Sequence, residues 1–193
     1  MLLRQGFFAN ERGRLALNIR AYLIGAPGRL IRCLTTLPRP RDWAELGLAA
    51  VALSAILGPV GFWTGLLTWR PRPVGEVAVL ALSAFIAPGL GEELPFRGLL
   101  IPDRSEADKA WPAIVLSTGV FCLWHVVEAT TFLPKARPLF LRPDFLAWTV
   151  LLGLACALLR RRSGSIWTAV LLHWIAVVAW QGWLGGPGLA DLH

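Results

Sequence analysis

Glu92, Glu93 and Arg97 stand in the segment Gly91-Glu92-Glu93-Leu94-Pro95-Phe96-Arg97-Gly98, inside a stretch whose residues 77–90 are all apolar or small and whose residues 98–101 are apolar again. A charge in the middle of a hydrocarbon layer costs roughly 2.5–3.5 kcal/mol by insertion scales, so such residues call for pairing or for function. Glu93 and Arg97 are four apart, the spacing at which a carboxylate and a downstream cation share one helical face. Glu92 points about 100° away and has no partner on its own helix. Two histidines stand in other apolar runs, Phe121-Cys122-Leu123-Trp124-His125 and Leu171-Leu172-His173-Trp174, and the only other histidine is the last residue, His193. A carboxylate and an imidazole sharing one water make a general base, and a second imidazole can donate to a developing oxyanion. Such a set could hydrolyse an amide.

These side chains need helices that cross a membrane. With 193 residues, 55% of them hydrophobic and 16% charged, and ten tryptophans, the chain is too apolar for an ordinary water-soluble domain. The expected fold is an all-α polytopic membrane bundle of about five spans, near 43–67, from about 74 through the charged motif, 111–127, 145–159 and 166–184, preceded by an Arg-rich amphipathic segment over 1–41 that lies on the inner surface as one or two helices. The domain division is 1–41 and 42–193. Residues 145–159 reach only about 22 Å as a helix against a hydrocarbon core of about 30 Å, so that span is short or extended by its flanks. Gly89, Gly91, Gly98, Gly119 and Gly153 are expected to allow close helix contact.

The net charge of +7 comes from arginine. Placing the N-terminus inside puts thirteen Arg and Lys residues in the inner segments and five in the outer ones, the distribution the positive-inside rule selects. A basic arm beside membrane spans points to a lipid surface as partner and not to nucleic acid. The expected location is a bacterial inner membrane with a cytoplasmic N-terminus. Cys33, Cys122 and Cys156 have no CxxC spacing and form no disulfide framework. Counted from the inner span ends at 101, 111 and 166, Glu92, His125 and His173 lie roughly 14, 21 and 11 Å deep, close enough to meet. Their site is expected to open toward the inner face, flanked by Arg104 and Lys109, with Glu128, one turn beyond His125, marking the outer end of its span or lining an access path.

Glu92-Glu93-x-x-x-Arg97, Phe121-x-x-x-His125, and His173 after Ser165-Ile166-Trp167-Thr168-Ala169 resemble the three motifs of the CAAX prenyl protease and bacteriocin-processing (CPBP, or ABI) family, glutamic-type intramembrane proteases related to the eukaryotic ras-converting endopeptidase. The resemblance covers about 74–185. It implies that Glu92 activates water with His125, that His173 supports the oxyanion, and that Glu93 and Arg97 pair as supporting residues. It also implies a peptide or membrane-protein substrate. The family's third motif has Asn or Asp four residues after its histidine; this chain has Val177.

Other readings fit parts of the pattern. The missing donor at Val177 suits a weak or inactive protease-like scaffold or immunity protein. Zinc held by the two histidines and two glutamates is less favoured, because no HExxH helix is present, and the expected site uses no metal or other cofactor. A haem between His125 and His173 leaves the Glu-Glu motif unexplained, and five spans without a repeated half argue against common transporter plans.

Overall fold

The computed structural model describes residues 19–106, 110–188 and 191–192. The part of the amphipathic arm before residue 19, and Lys109, lie outside the described residues. Helices α1 (Ile19–Thr35), α2 (Pro40–Thr64), α3 (Val74–Leu99), α4 (Trp111–Thr131), a short α5 (Arg137–Phe140), α6 (Pro143–Ser163) and α7 (Trp167–Trp183) follow in order, with no strand among the described residues. The fold is the polytopic all-α bundle the composition calls for.

Four of these helices, α2, α3, α4 and α6, are long and apolar enough to cross a membrane. The region expected as a fifth span is α7, whose 17 residues extend about 25 Å. The fourth expected span is extended by its flanks: α6 runs 21 residues, starting at Pro143 and carrying Arg160, Arg161 and Arg162 in its last turn. Its end is set by Gly164, in the left-handed conformation (φ 75°), where a residue without Cβ is favoured. The outward faces display Leu48, Ile56 and Trp63 on α2, Val79 and Ile86 on α3, and Val115 and Leu123 on α4. So much exposed apolar surface suits lipid, not water.

The α6 helix packs against α2, α4 and α7, and α3 lies along α7. Small residues set these distances. A Cβ on Gly98 would come within 2.7 Å of Leu30 and 3.3 Å of Ile166, and one on Gly153 within 3.0 Å of both Arg97 and Phe121. The same expectation fails at Gly119, which faces open space.

The arm between 19 and 35 is one continuous helix through Pro27, and it does more than lie on a surface. Arg29, fully buried, donates to the carbonyls of Leu99 and Tyr22 and pairs with Glu106 at 2.9 Å, while the Tyr22 hydroxyl donates to the Leu100 carbonyl. At the other end of α1 the Cys33 carbonyl accepts from the Ile166 amide (3.0 Å) and the Leu34 carbonyl from the Trp167 indole (3.0 Å). Buried backbone groups at helix ends need partners. Here α1 serves the end of α3 and the start of α7 together.

Candidate active site

The charged motif sits where α3 stops being an α-helix. Pro88 and Pro95 have no N–H to donate and cannot hold the regular hydrogen-bond ladder, and from Phe85 to Glu92 and again from Leu94 to Leu99 the backbone is π-helical. π-Helical turns are rare and concentrate at functional sites. Ser117 on α4 fixes this segment laterally, its hydroxyl donating to the Phe96 carbonyl at 2.7 Å.

Glu93 and Arg97 form the pair their spacing suggests, 3.0 Å apart, both fully buried. The same carboxylate oxygen, Oε1, also accepts from His173 Nδ1 at 2.9 Å. Arg97 donates to the Gly153 carbonyl at 3.1 Å and lies 4.1 Å over the Phe121 ring, a cation–π contact in a dry setting. Phe121 in turn meets His125 and His173 edge-on, with ring centroids 4.9 and 5.5 Å away. One arginine thus holds Glu93, α6 and the aromatic ring that separates the two imidazoles.

Glu92 stands apart from that network. Its Oε2 is buried and has no hydrogen-bond partner, and His173 Nε2 lies 3.9 Å from it. His125 is 9% exposed, and its Nδ1 lies 3.0 Å from the Phe121 carbonyl. A carbonyl can only accept, so Nδ1 carries the hydrogen and Nε2 presents a lone pair. The structure therefore brings together Glu92, His125 and His173 as the depth argument expects.

All three line a cavity of about 570 Å³, together with Trp124, Glu128 and Val177. Glu128, near the end of α4, was not among the site residues the sequence singled out. It lies three residues beyond His125, and its carboxylate, a His125 nitrogen and a Glu92 oxygen all stand within 4.8 Å of one another. That donor set, two carboxylates and an imidazole, is the one that could face a cation among the described residues; His173 is committed to Glu93 instead. The i, i+3 spacing to His125 was the available signal, since it puts both side chains on one helical face.

The cavity does not reach Arg104, where the opening was expected: its walls extend instead to Leu133, Phe140 and Leu192, beyond the C-terminal ends of α4 and α7 and at the end of the bundle opposite α1. Arg104 instead lines a separate recess with Arg32, Arg39, Arg161 and Arg162. A second chamber of about 390 Å³ lies on the α2 side, its walls including Leu57, Phe62, Trp148 and Leu152, and it shares His125, His173 and Val177 with the first.

A family model described as "Type II CAAX prenyl endopeptidase Rce1-like" matches residues 74–179, more than half of the chain. No curated protein and no solved structure matches it.

Proposed function

Since the chain belongs to the type II CAAX prenyl endopeptidase Rce1-like family, we propose that it is an intramembrane endopeptidase of the glutamic type, cutting a membrane-associated or C-terminally processed peptide with a water activated by Glu92 and His125. The observation that carries this reading is the buried, unpartnered Glu92 oxygen on the wall of a 570 Å³ cavity that also presents His125 and His173. A carboxylate kept free of Arg97 is available to take a proton; one already paired is not. Water held between Glu92 and the His125 Nε2 lone pair loses a proton to the carboxylate as its oxygen attacks the scissile carbonyl. Glu93 and Arg97 are positioning residues. Their pair holds His173 Nδ1, so that Nε2 faces the reacting centre, the electrophilic support that the family resemblance assigns to His173.

The alternative of a protease-like scaffold draws on Val177, which leaves an apolar wall one turn past His173. The experiment is cleavage of a diverse membrane-peptide library by purified protein in proteoliposomes, comparing wild type with Glu92→Gln, each with and without a strong chelator. Cutting that vanishes in Glu92→Gln and survives chelation supports the glutamic mechanism. Cutting lost on chelation moves Glu92, His125 and Glu128 to a metal-holding role, and an uncut library favours the scaffold.

A further inference from the structure

We infer that Glu128 is the general acid of this site, the group that protonates the departing nitrogen; the inference rests on the endopeptidase reading. Amide hydrolysis needs a proton acceptor for water and a proton donor for the leaving amine. The hydrogen bonds of the cavity account for the acceptors and leave the donor unassigned. His125 has its Nδ1–H on the Phe121 carbonyl, so its neutral ring turns an acceptor nitrogen, Nε2, toward the cavity, while His173, held by Glu93 at Nδ1, is engaged through its Nε2–H with the oxyanion in the proposed reaction. Glu92 is the second acceptor. The Ser83 hydroxyl donates to the Leu80 carbonyl at 3.0 Å, Val177 offers nothing, and the indoles of Trp124 and Trp180 can donate a hydrogen bond but cannot surrender a proton. Gln181 is an amide two turns beyond His173. Glu128 remains, on the cavity wall and within 4.8 Å of both Glu92 and His125.

Two carboxyl groups this close in a low-dielectric site favour holding one proton between them over carrying two charges. That single proton suffices. The Glu92 carboxylate takes a proton from water as the water oxygen bonds to the carbonyl carbon and the C=O π pair moves onto oxygen. When the tetrahedral centre collapses the pair returns, the C–N bond breaks, and Glu128 gives its proton to the nitrogen, releasing an amine and a carboxylic acid. The proton now on Glu92 crosses to the Glu128 carboxylate, directly or through one water, and the site is restored with the same single proton. The short gap between the two glutamates is what this last transfer requires.

The test uses an internally quenched peptide taken from the library screen and the same peptide with its scissile amide replaced by a phenyl ester, whose phenolate leaves without needing a proton. Wild type, Glu92→Gln, Glu128→Gln and Glu128→Asp are compared in proteoliposomes, with melting temperatures confirming that each variant folds. Glu128→Gln is expected to lose about 10²–10⁴ in kcat on the amide, the usual weight of a general acid, while still cleaving the ester. Glu92→Gln is expected to lose both, and Glu128→Asp to recover part of the amide activity. Unchanged amide turnover in Glu128→Gln overturns the assignment. So does parallel loss on amide and ester, which would make Glu128 a structural or cation-holding residue. A wild type that cuts neither substrate overturns the endopeptidase reading itself.

Discussion

Glu93 is the residue on which the geometry of the site turns. One of its oxygens receives both Arg97 and His173, and the three side chains are almost wholly removed from solvent. Removing one partner of a buried ion pair leaves the other uncompensated, typically costing 3–5 kcal/mol. Arg97→Leu is therefore expected to destabilise the protein by about 3–5 kcal/mol, read as a lowered melting temperature in detergent, and to abolish cleavage through the loss of His173's orientation. Glu93→Gln combined with Arg97→Leu should cost clearly less than the sum of the two single changes, because the double variant leaves neither charge stranded. Additive losses would mean that the two residues act separately. The i, i+4 pair was legible in the sequence. The His173–Glu93 bond was not, because it joins residues eighty positions apart on different helices and no spacing rule reaches that far. Glu128 was left between two readings for a related reason: a glutamate near the end of an apolar run has the same local pattern whether it caps a span or faces a cavity.

At the scale of elements, α3 and α6 show how packing carries the chemistry. The π-helical stretch is foreshadowed by Pro88 and Pro95, but its register follows from which carbonyls the prolines leave free and from the neighbours that accept the altered helix. Gly153 is one of those neighbours. It accepts Arg97 at its carbonyl and leaves no room for a Cβ, which would stand 3.0 Å from the guanidinium and from Phe121. Neither group can retreat, since Arg97 is tied to Glu93 and Phe121 is wedged against both histidines. Gly153→Ala is thus expected to destabilise by about 1–3 kcal/mol, the usual range for overpacking, although alanine is the better helix former; a melting temperature at or above wild type would refute this close packing. The arm was legible as an amphipathic basic helix, yet its role as a strap was hidden, because that role depends on which helix ends it meets. Arg29→Ala removes the donors to the carbonyls of Leu99 and Tyr22 and leaves Glu106 with Arg32 and the Asp103 amide as its partners. It should raise amide exchange over residues 97–101 and at the start of α7, measurable by hydrogen–deuterium exchange, with residues 145–159 unaffected. Unchanged exchange at 97–101 would show that α1 does not secure α3.

For the whole molecule, the position of the cavity and the distribution of charge together decide from which side a substrate arrives. The arginines of α1, of the segment before α2 and of the end of α6 gather at one end of the bundle, where Arg162 meets Glu45 and Arg160 meets Asp103. The cavity walls reach the other end, where Leu133, Phe140, Phe145 and Leu192 belong to one apolar cluster. The charge count was legible in the sequence and the side of the site was not, since three residues at mid-depth can be approached from either direction and only the packing of 132–142 and Leu192 resolves it. Positive charge is retained on the cytoplasmic side, so the cavity is expected to face the extracytoplasmic half of the bilayer and to admit peptides from that leaflet. Single cysteines at Thr35 and Lys135, exposed positions at the two ends, test this when cells are treated with a membrane-impermeant maleimide before and after permeabilisation. Lys135→Cys should label in intact cells and Thr35→Cys only after permeabilisation. The reverse pattern would invert the topology and place the cavity on the cytoplasmic side, as the sequence alone suggested. In that case the arginine-rich end would lie outside, against the positive-inside rule, and the buried contacts of α1 with α3 and α7, not charge, would have to account for the orientation.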